Sequence, residues 1–188
     1  MIRFVFFAFL FLNSCDLFVT REPESPDSGS QNFNAAVVPE ILFDNLVTSF
    51  KEKKIEYYQS CFLDTLSLNR EFQFIPTADA ANKYSAFADW NLSSEEVYFR
   101  NLISEVEESI PISLVLSNEL VVSQGEVQEF QFDYSIVVID QNALTNIFSG
   151  IIRITIEIDN RQQWVITKWE DSKISDELSW SDLKGIYY

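Results

Sequence analysis

The sequence contains no histidine, and this absence removes much of the common catalytic chemistry. Ser–His–Asp triads, Asp–His dyads and zinc sites built on imidazole all need that side chain. The chain also has only four glycines, which leaves no phosphate-binding loop and no glycine-rich dinucleotide fingerprint. We therefore expect no metal and no cofactor, and any acid–base chemistry would have to use carboxylates and tyrosines.

Basic residues are also scarce. Lysine and arginine together number 13, against 29 aspartates and glutamates, so the formal net charge is −16 at pH 7. Such a surface repels the phosphate backbone of nucleic acids and the headgroups of anionic lipids. We expect no nucleic-acid partner, and we attribute the acidity to solubility.

A third absence is a hydrophobic run long enough to span a membrane. The longest apolar stretch, Phe4 to Leu12, has about half of the ~20 residues that a spanning helix needs. It follows a short basic start at Arg3 and ends at Leu12-Asn13-Ser14-Cys15. A short apolar stretch with a basic start and small residues at its end is typical of a secretory signal peptide, predicted here for residues 1–14.

The motif Leu12-Asn13-Ser14-Cys15 resembles a bacterial lipobox, in which the cysteine is acylated and becomes the first residue of the mature protein. The resemblance implies a lipoprotein of the bacterial cell envelope. Cys15 would anchor it to the inner or outer membrane, with the domain outside the cytoplasm. An ordinary signal peptide is the alternative. Residues 15–38 are rich in Pro, Ser, Gly and acidic residues, so we expect a flexible tether after the lipidated cysteine.

Residues 39–188 are predicted to form a single domain in which helices precede strands. Apolar residues first recur at helical spacing, and a Ser93–Glu96 capping box marks the start of the last of these helices. The inward face of that helix is expected to hold Val97, Tyr98, Leu102 and Val106. After Pro111 the apolar residues alternate instead. Short loops between long alternating strands predict an antiparallel meander with one covered face, and hence an α+β domain. The helical segments are 39–54, 55–62 and 93–110, with a short strand at 71–75, and the alternating segments are 112–122, 126–139, 147–158 and 164–171.

Two further expectations concern the sheet. Long strands usually have to bend, and Gly150 is expected to supply a kink or bulge. The C-terminal tail places Trp180, Leu183 and Ile186 on one apolar face, so it should dock on the sheet.

This order of elements resembles the cone of the cystatin-like and nuclear transport factor 2-like folds, in which N-terminal helices pack in the concave face of a strongly curved antiparallel sheet. The final strand, Trp164-Val-Ile-Thr-Lys-Trp169-Glu-Asp171, also looks like the closing strand of that family, where an aromatic residue and an acidic end recur. The resemblance covers roughly residues 39–175 and implies the fold. It implies no single function, because the superfamily includes isomerases, cyclases, dehydratases, transport factors and many binding domains.

Four aromatic residues are candidates for lining a ligand pocket in such a cone. They come from the irregular stretch and helix near the expected mouth and from the apolar face of a strand: Tyr84, Trp90, Tyr98 and Tyr134. We predict no catalytic residue, because the apolar strand faces hold no embedded carboxylate. Asp133 should face the other side of the sheet, and Asp89 beside Trp90 is the nearest substitute.

Taken with the predicted anchor, these features favour a lipid-anchored envelope protein with a non-catalytic binding or accessory domain. Its partner would be a small apolar ligand or another protein, and the exposed sheet face could form a homodimer. The alternative is a small lyase or isomerase of the cone fold that uses Tyr and Asp as acid and base, as the ketosteroid isomerases do.

Overall fold

The first layer of the domain consists of two N-terminal helices. The computed structural model describes residues 33–63, 70–123, 125–174 and 176–188. Helix α1 spans Pro39–Glu52 and helix α2 spans Ile55–Ser60. Proline is tolerated in the first turn of α1, because the N–H that it lacks would have no partner within the helix. Three apolar residues then recur at helical spacing and are fully buried, namely Leu42, Leu46 and Phe50.

Three short elements and one longer helix connect this layer to the main sheet. They are strand β1 (Gln73–Ile75), helix α3 (Ala78–Lys83), a 3₁₀ turn (Ser85–Asp89) and helix α4 (Leu92–Ser104). The predicted Ser93–Glu96 capping box is wrong. The Asn91 side chain accepts the backbone N–H groups of Ser93 and Ser94 instead, so the cap falls two residues earlier.

The buried face of α4 differs from the expected one in two places. Its inward residues are Ser94, Glu95, Tyr98, Phe99 and Leu102. Val97, which was expected inside, is 42% exposed, whereas the charged residue Glu95 is only 2% exposed. A carboxylate on the buried face of a helix needs partners, and these are found in the interior of the domain.

Four long strands form the sheet that the alternating pattern predicted: β2 (Ser113–Ser123), β3 (Val127–Ile139), β4 (Thr145–Ile158) and β5 (Trp164–Ser172). The order across the sheet is β1-β5-β4-β3-β2. The long strands are antiparallel neighbours, and the short β1 pairs in parallel with β5. Buried and half-buried residues alternate along most of β3, so one face of the sheet covers the core.

Gly150 does not supply a bulge. It pairs regularly with Tyr134 of β3, and register shifts occur elsewhere, in β2 after Ser117 and after Val121 and in β5 at Thr167. A side chain at position 150 would place its Cβ 2.6 Å from the Tyr134 hydroxyl oxygen. Glycine is therefore needed here because the tyrosine ring crosses close above the backbone.

The last element is helix α5 (Trp180–Tyr187), which lies between the sheet and the helices. The Trp180 ring packs edge-on against Trp169 of β5 and Phe50 of α1, with ring centroids 4.4 Å and 5.5 Å away. The prediction that the tail docks is confirmed, since Trp180 and Leu183 are fully buried. Ile186 is 48% exposed instead of facing the core, because the buried face of the helix continues through Lys184.

The residues just before α1 also contact the domain. Residues 33–38 were assigned to the tether, but Ala36 is buried and its carbonyl accepts the Trp164 backbone N–H at 2.7 Å. The predicted signal peptide, Cys15 and the tether up to residue 32 lie outside the described residues. Within the described ranges, no helix combines the length and apolar character needed to cross a membrane.

Candidate functional site

The interior of the cone holds the first turn of α5. Ser179 caps this helix in a capping box, because its side chain accepts the Asp182 backbone N–H while the Asp182 carboxylate accepts the Ser179 N–H. The cap places Trp180 and Ser181 at the tip of the helix, and both are fully buried. The chain's own helix therefore fills the space between the sheet and α1.

Two groups suited to acid–base chemistry meet the tip of α5. The Tyr134 hydroxyl donates to Asp171 Oδ1 at 2.8 Å and accepts the Trp180 backbone N–H at 2.6 Å. Asp171 Oδ2 accepts the Ser181 backbone N–H at 2.7 Å and the Ser181 hydroxyl at 2.5 Å. Burial raises the pKa of Asp171, and burial followed by the charge of Asp171 raises the pKa of Tyr134. Both groups are thus hydrogen-bonded to α5.

A buried ion pair lies one turn further along α5. Lys184 is fully buried, and its ammonium contacts Glu95 Oε1 on α4. The Glu95 carboxylate also accepts the Tyr58 hydroxyl and the Trp90 indole N–H, each at 2.7 Å. These donors offset part of the cost of removing the carboxylate from water. Burial lowers the pKa of Lys184, and the charge of Glu95 opposes this shift.

Aromatic rings surround the Lys184 ammonium. Its Nζ lies 3.8 Å from the ring centroid of Phe74 and 4.5 Å from that of Trp169. Trp90 and Tyr98 complete the arrangement at 5.7 Å and 5.8 Å. Ring faces attract cations, and more strongly when water is excluded. We call the four rings and Glu95 together the ammonium cage. The cation in this cage is Lys184 of the same chain.

All four residues predicted to line a pocket contact α5. Tyr134 accepts the Trp180 backbone N–H, and the Tyr98 hydroxyl accepts the Trp180 indole N–H at 3.2 Å. These two tyrosines therefore hold the two N–H groups of a single tryptophan. Their positions on β3 and α4 bring the sheet and the helices to the same side chain.

The other two predicted pocket residues contact the middle of α5. Trp90 belongs to the ammonium cage around Lys184. Tyr84 packs on Gly185, where an added Cβ would lie 2.4 Å from the tyrosine ring. The structure thus brings the four aromatic residues together around a helix of the same chain. A separate ligand at these residues stays a prediction.

The carboxylates of the interior are not those considered from the sequence. Asp89, the nearest substitute for a buried carboxylate, is exposed. Asp133 faces away from the core as predicted, and its carboxylate accepts an N–H of the Asn118 side chain at 2.6 Å. Among the buried carboxylates, the two that reach α5 from other elements are Glu95 and Asp171, and neither is among the candidates considered from the sequence.

A local signal for both missed carboxylates was present. Glu95 lies three residues before Tyr98, at a spacing that places both side chains on one face of a helix. Asp171 lies two residues after Trp169, so in a strand both face the same side. Neither spacing shows that the shared face is buried, and burial is what gives the two carboxylates their roles.

Other chemistry is scarce in the described part of the chain. No group of three or more His, Cys, Asp or Glu residues there could hold a metal ion. Cys61 is buried, and burial raises the pKa of its thiol, which disfavours the reactive thiolate. Two buried polar groups have no hydrogen-bond partner among the described residues, the Tyr84 hydroxyl and the Trp169 indole N–H.

Several solved structures resemble this chain in fold. A candidate aromatic-ring hydroxylase from Novosphingobium aromaticivorans matches with a TM-score of 0.58 and 10% identity, covering 77% of this chain and 92% of the other. A candidate dehydratase of the nuclear transport factor 2-like family from Streptomyces avermitilis matches with a TM-score of 0.55 and 10% identity, over 72% of this chain and 94% of the other.

A nuclear transport factor 2-like superfamily protein from Salmonella enterica serovar Typhimurium matches with a TM-score of 0.53 and 13% identity, over 72% of this chain and 87% of the other. No protein-family model matches the sequence, and no curated protein is significantly similar to it. At these identities the likeness shows the fold alone. The domain has the nuclear transport factor 2-like cone fold, as the order of its elements predicted.

Proposed function

We propose that the protein is a lipid-anchored protein of the bacterial cell envelope whose cone domain is a non-catalytic binding or accessory module. The proposal that the cone domain is non-catalytic rests on the position of α5, which fills the interior of the cone. Tyr134 and Asp171 are a pair that could act as acid and base, and both are hydrogen-bonded to α5. A substrate would have to displace Trp180 and Ser181, both fully buried, before reaching them.

The anchor rests on the lipobox-like motif that ends at Cys15. The expected mature protein would begin with an acylated cysteine, followed by a Pro- and Ser-rich segment that holds the domain away from the headgroups. An apolar chain buried in the bilayer supplies about 0.8 kcal/mol for each CH₂ group. The strongly acidic domain would add no electrostatic attraction to anionic lipid, so the lipid would act alone.

The two cysteines provide a matched test of the anchor. We expect Cys15→Ser to abolish incorporation of a labelled fatty acid in a bacterial host and to move the protein from the membrane to the soluble fraction. Cys61→Ser, which changes a buried thiol, should leave both readouts unchanged. Labelling that persists in the Cys15→Ser protein would show that the lipobox interpretation is wrong.

A protein partner is the occupant that the geometry favours. For a small apolar ligand, the cavity beside the ion pair offers about 250 Å³ and is lined in part by Tyr58, Phe62 and Leu92. The outer face of the sheet offers more apolar surface, with Val115 and Ile147 each 52% exposed. We propose that this face forms a homodimer, and sedimentation of an Ile147→Lys variant tests it by the loss of the dimer.

The alternative function is a lyase or isomerase in which Asp171 is the base and Tyr134 the acid. The specific observation in its favour is the buried 2.8 Å hydrogen bond between these groups, together with the raised pKa of Asp171. Catalysis would require α5 to leave the interior often. Amide hydrogen exchange distinguishes the two functions, because the Trp180 and Ser181 N–H groups bond to the two side chains.

We expect both amides to exchange as slowly as the buried amides of β3 and β4, through rare opening of the whole domain. Exchange that is faster than that of the strands by several orders of magnitude would favour the enzyme. The N–H of Gln162, in the exposed turn between β4 and β5, gives an internal reference for fast local opening.

A further inference from the structure

A groove outside the filled interior also combines carboxylates with aromatic rings. It lies between α1 and β2 and has a volume of about 410 Å³. Strand β2 is at the edge of the sheet among the described strands, so the groove opens at the side of the cone. We call it the acidic groove; its floor includes Phe43, Leu114 and Phe132, and its rim is formed by Glu40, Asp44 and Glu119.

The floor of the acidic groove is apolar. The Phe43 ring of α1 packs edge-on against Phe132 of β3, with ring centroids 4.8 Å apart. Val47 and Leu116 lie beside them and are only half-buried, so part of the apolar floor is left in water. Apolar surface of this kind gains free energy when a partner covers it.

The rim carries three exposed carboxylates of one sign. Glu40 and Asp44 are one turn apart on α1, where like charges repel each other. Glu119 faces them from β2, just after Asn118, whose φ of 52° coincides with the register shift in that strand. In the part of the chain that the structure describes, none of the three carboxylates forms an ion pair.

The interior of the same domain shows which side chain can pair with a carboxylate that lies beside aromatic rings. There a carboxylate beside aromatic rings is met by a lysine, whose apolar stem packs in the core while its ammonium contacts the carboxylate. The described residues that line the acidic groove supply the apolar floor and the carboxylates, but they include no lysine or arginine. A matching partner must bring both an apolar side chain for the floor and positive charge for the rim.

We propose that the acidic groove binds a segment of a partner protein in which lysine or arginine flanks a bulky apolar side chain. The proposal rests on the proposed function as a binding module and names the chemistry of the partner. The acylation test of Cys15 does not involve the acidic groove. A negative result for the anchor therefore leaves the groove proposal standing, and the reverse also holds.

The experiment uses the full chain and a synthetic amphipathic peptide made of leucine and lysine, with a leucine–glutamate peptide as the negative probe. Binding is measured by titration calorimetry in ~0.1 M salt, where the Debye length is about 10 Å. We expect the lysine peptide to bind and the glutamate peptide not to bind. Neutralising the rim with Glu40→Gln, Asp44→Asn and Glu119→Gln together should weaken binding by roughly tenfold, given the small free energy of each exposed ion pair.

A charge-matched control separates the groove from the general acidity of the surface. Glu56→Gln, Glu71→Gln and Glu126→Gln together change the net charge equally at exposed positions outside the groove. This control variant should retain the affinity of the natural chain to within about twofold. Equal weakening by both triple variants, or no weakening by the rim variant, would overturn the proposal.

Two other occupants would be revealed by the same materials. If the rim variant alters the sedimentation of the free chain but not peptide binding, the groove belongs to a second copy of the chain. If the peptide binds only after residues 16–32 are deleted, the groove belongs to that segment. Either result would overturn the proposal of a separate partner.

Discussion

The interior of the cone and the acidic groove are built from the same materials and differ in one component. In both, carboxylates lie beside phenylalanine rings. In the interior, Lys184 meets Glu95 with water excluded, and helix α5 closes the space. In the groove, Glu40 and Asp44 are exposed, and no ion pair joins either of them to a described lysine or arginine. A buried carboxylate must be paired, whereas a carboxylate in water can stay unpaired until a partner binds.

The largest expected effect is on the interior ion pair. We expect Lys184→Met to reduce the free energy of unfolding by about 3–5 kcal/mol, because Glu95 would keep its charge without its cation. The substitution retains most of the apolar volume, so the loss reports on charge. Urea unfolding followed by tryptophan fluorescence measures it, and the exposed Lys51→Met serves as a control with a change within about 0.5 kcal/mol.

The same pair allows a stricter test through a double-mutant cycle. In a Glu95→Gln background the carboxylate is neutral, so Lys184→Met should cost much less than in the natural chain. An equal cost in both backgrounds would mean that Lys184 contributes through packing alone. The contrast between the interior of the cone and the acidic groove would then have no electrostatic basis.

A smaller effect is expected from the close contact of α5 with Tyr84. Alanine is favoured over glycine within a helix by up to about 1 kcal/mol. At position 185, however, the added Cβ would lie 2.4 Å from the tyrosine ring, so we expect Gly185→Ala to destabilise by about 1–3 kcal/mol. In a Tyr84→Ala background the sign should reverse. A stabilising effect of Gly185→Ala in the natural chain would contradict this packing.

The hydroxyl of Tyr134 should contribute about 1–3 kcal/mol, because Tyr134→Phe leaves the Trp180 N–H and Asp171 each without one partner. The pH dependence follows from the raised pKa of Tyr134. The unfolded chain releases this proton near pH 10, while the folded chain retains it. The stabilisation is therefore complete below about pH 10 and is lost as the pH rises further.

Urea unfolding between pH 7 and the alkaline range measures this loss. Tyr58 and Tyr98, whose pKa values burial also raises, remain in the variant, so stability should still fall with pH but less steeply. The exposed residue Tyr188 provides the control, as Tyr188→Phe removes a hydroxyl outside the core. Identical slopes for Tyr134→Phe and the natural chain would contradict the assignment.

The fold could be predicted because its signals are local. The change from helical to alternating spacing after Pro111 is visible in the sequence and gives the order of the elements. The position of Tyr134 on the apolar face of a strand follows from the same alternation. These patterns depend on neighbours within one element, so the rest of the chain did not have to be known.

The chemistry of the interior could not be predicted in the same way. Glu95 and Lys184 are 89 residues apart, and no local pattern couples them. In the sequence, Lys184 is a single charge between Leu183 and Gly185, a position that is usually solvated. Its burial follows from the docking of α5, which depends on the whole cone. The four aromatic residues could be selected from the sequence because large aromatic side chains are candidates for lining a pocket. A charged residue that is buried in the fold cannot be distinguished from a surface charge in the sequence.

The smallest expected effect has the opposite sign and belongs to the acidic groove. Asp44→Lys would place a cation one turn after Glu40, in the order that stabilises helices by about 0.2–0.5 kcal/mol, and would remove a repulsion of similar size. We expect a gain in stability that disappears in 1 M salt, where the Debye length is about 3 Å.

The new lysine would also supply a positive charge at the rim of the acidic groove from within the chain. The leucine–lysine peptide should therefore bind less well to this more stable variant, whereas Glu56→Lys at an exposed site should leave binding nearly unchanged. A variant that gains stability yet binds the peptide as before would separate the repulsion on α1 from recognition, and the rim carboxylates would then have no part in binding.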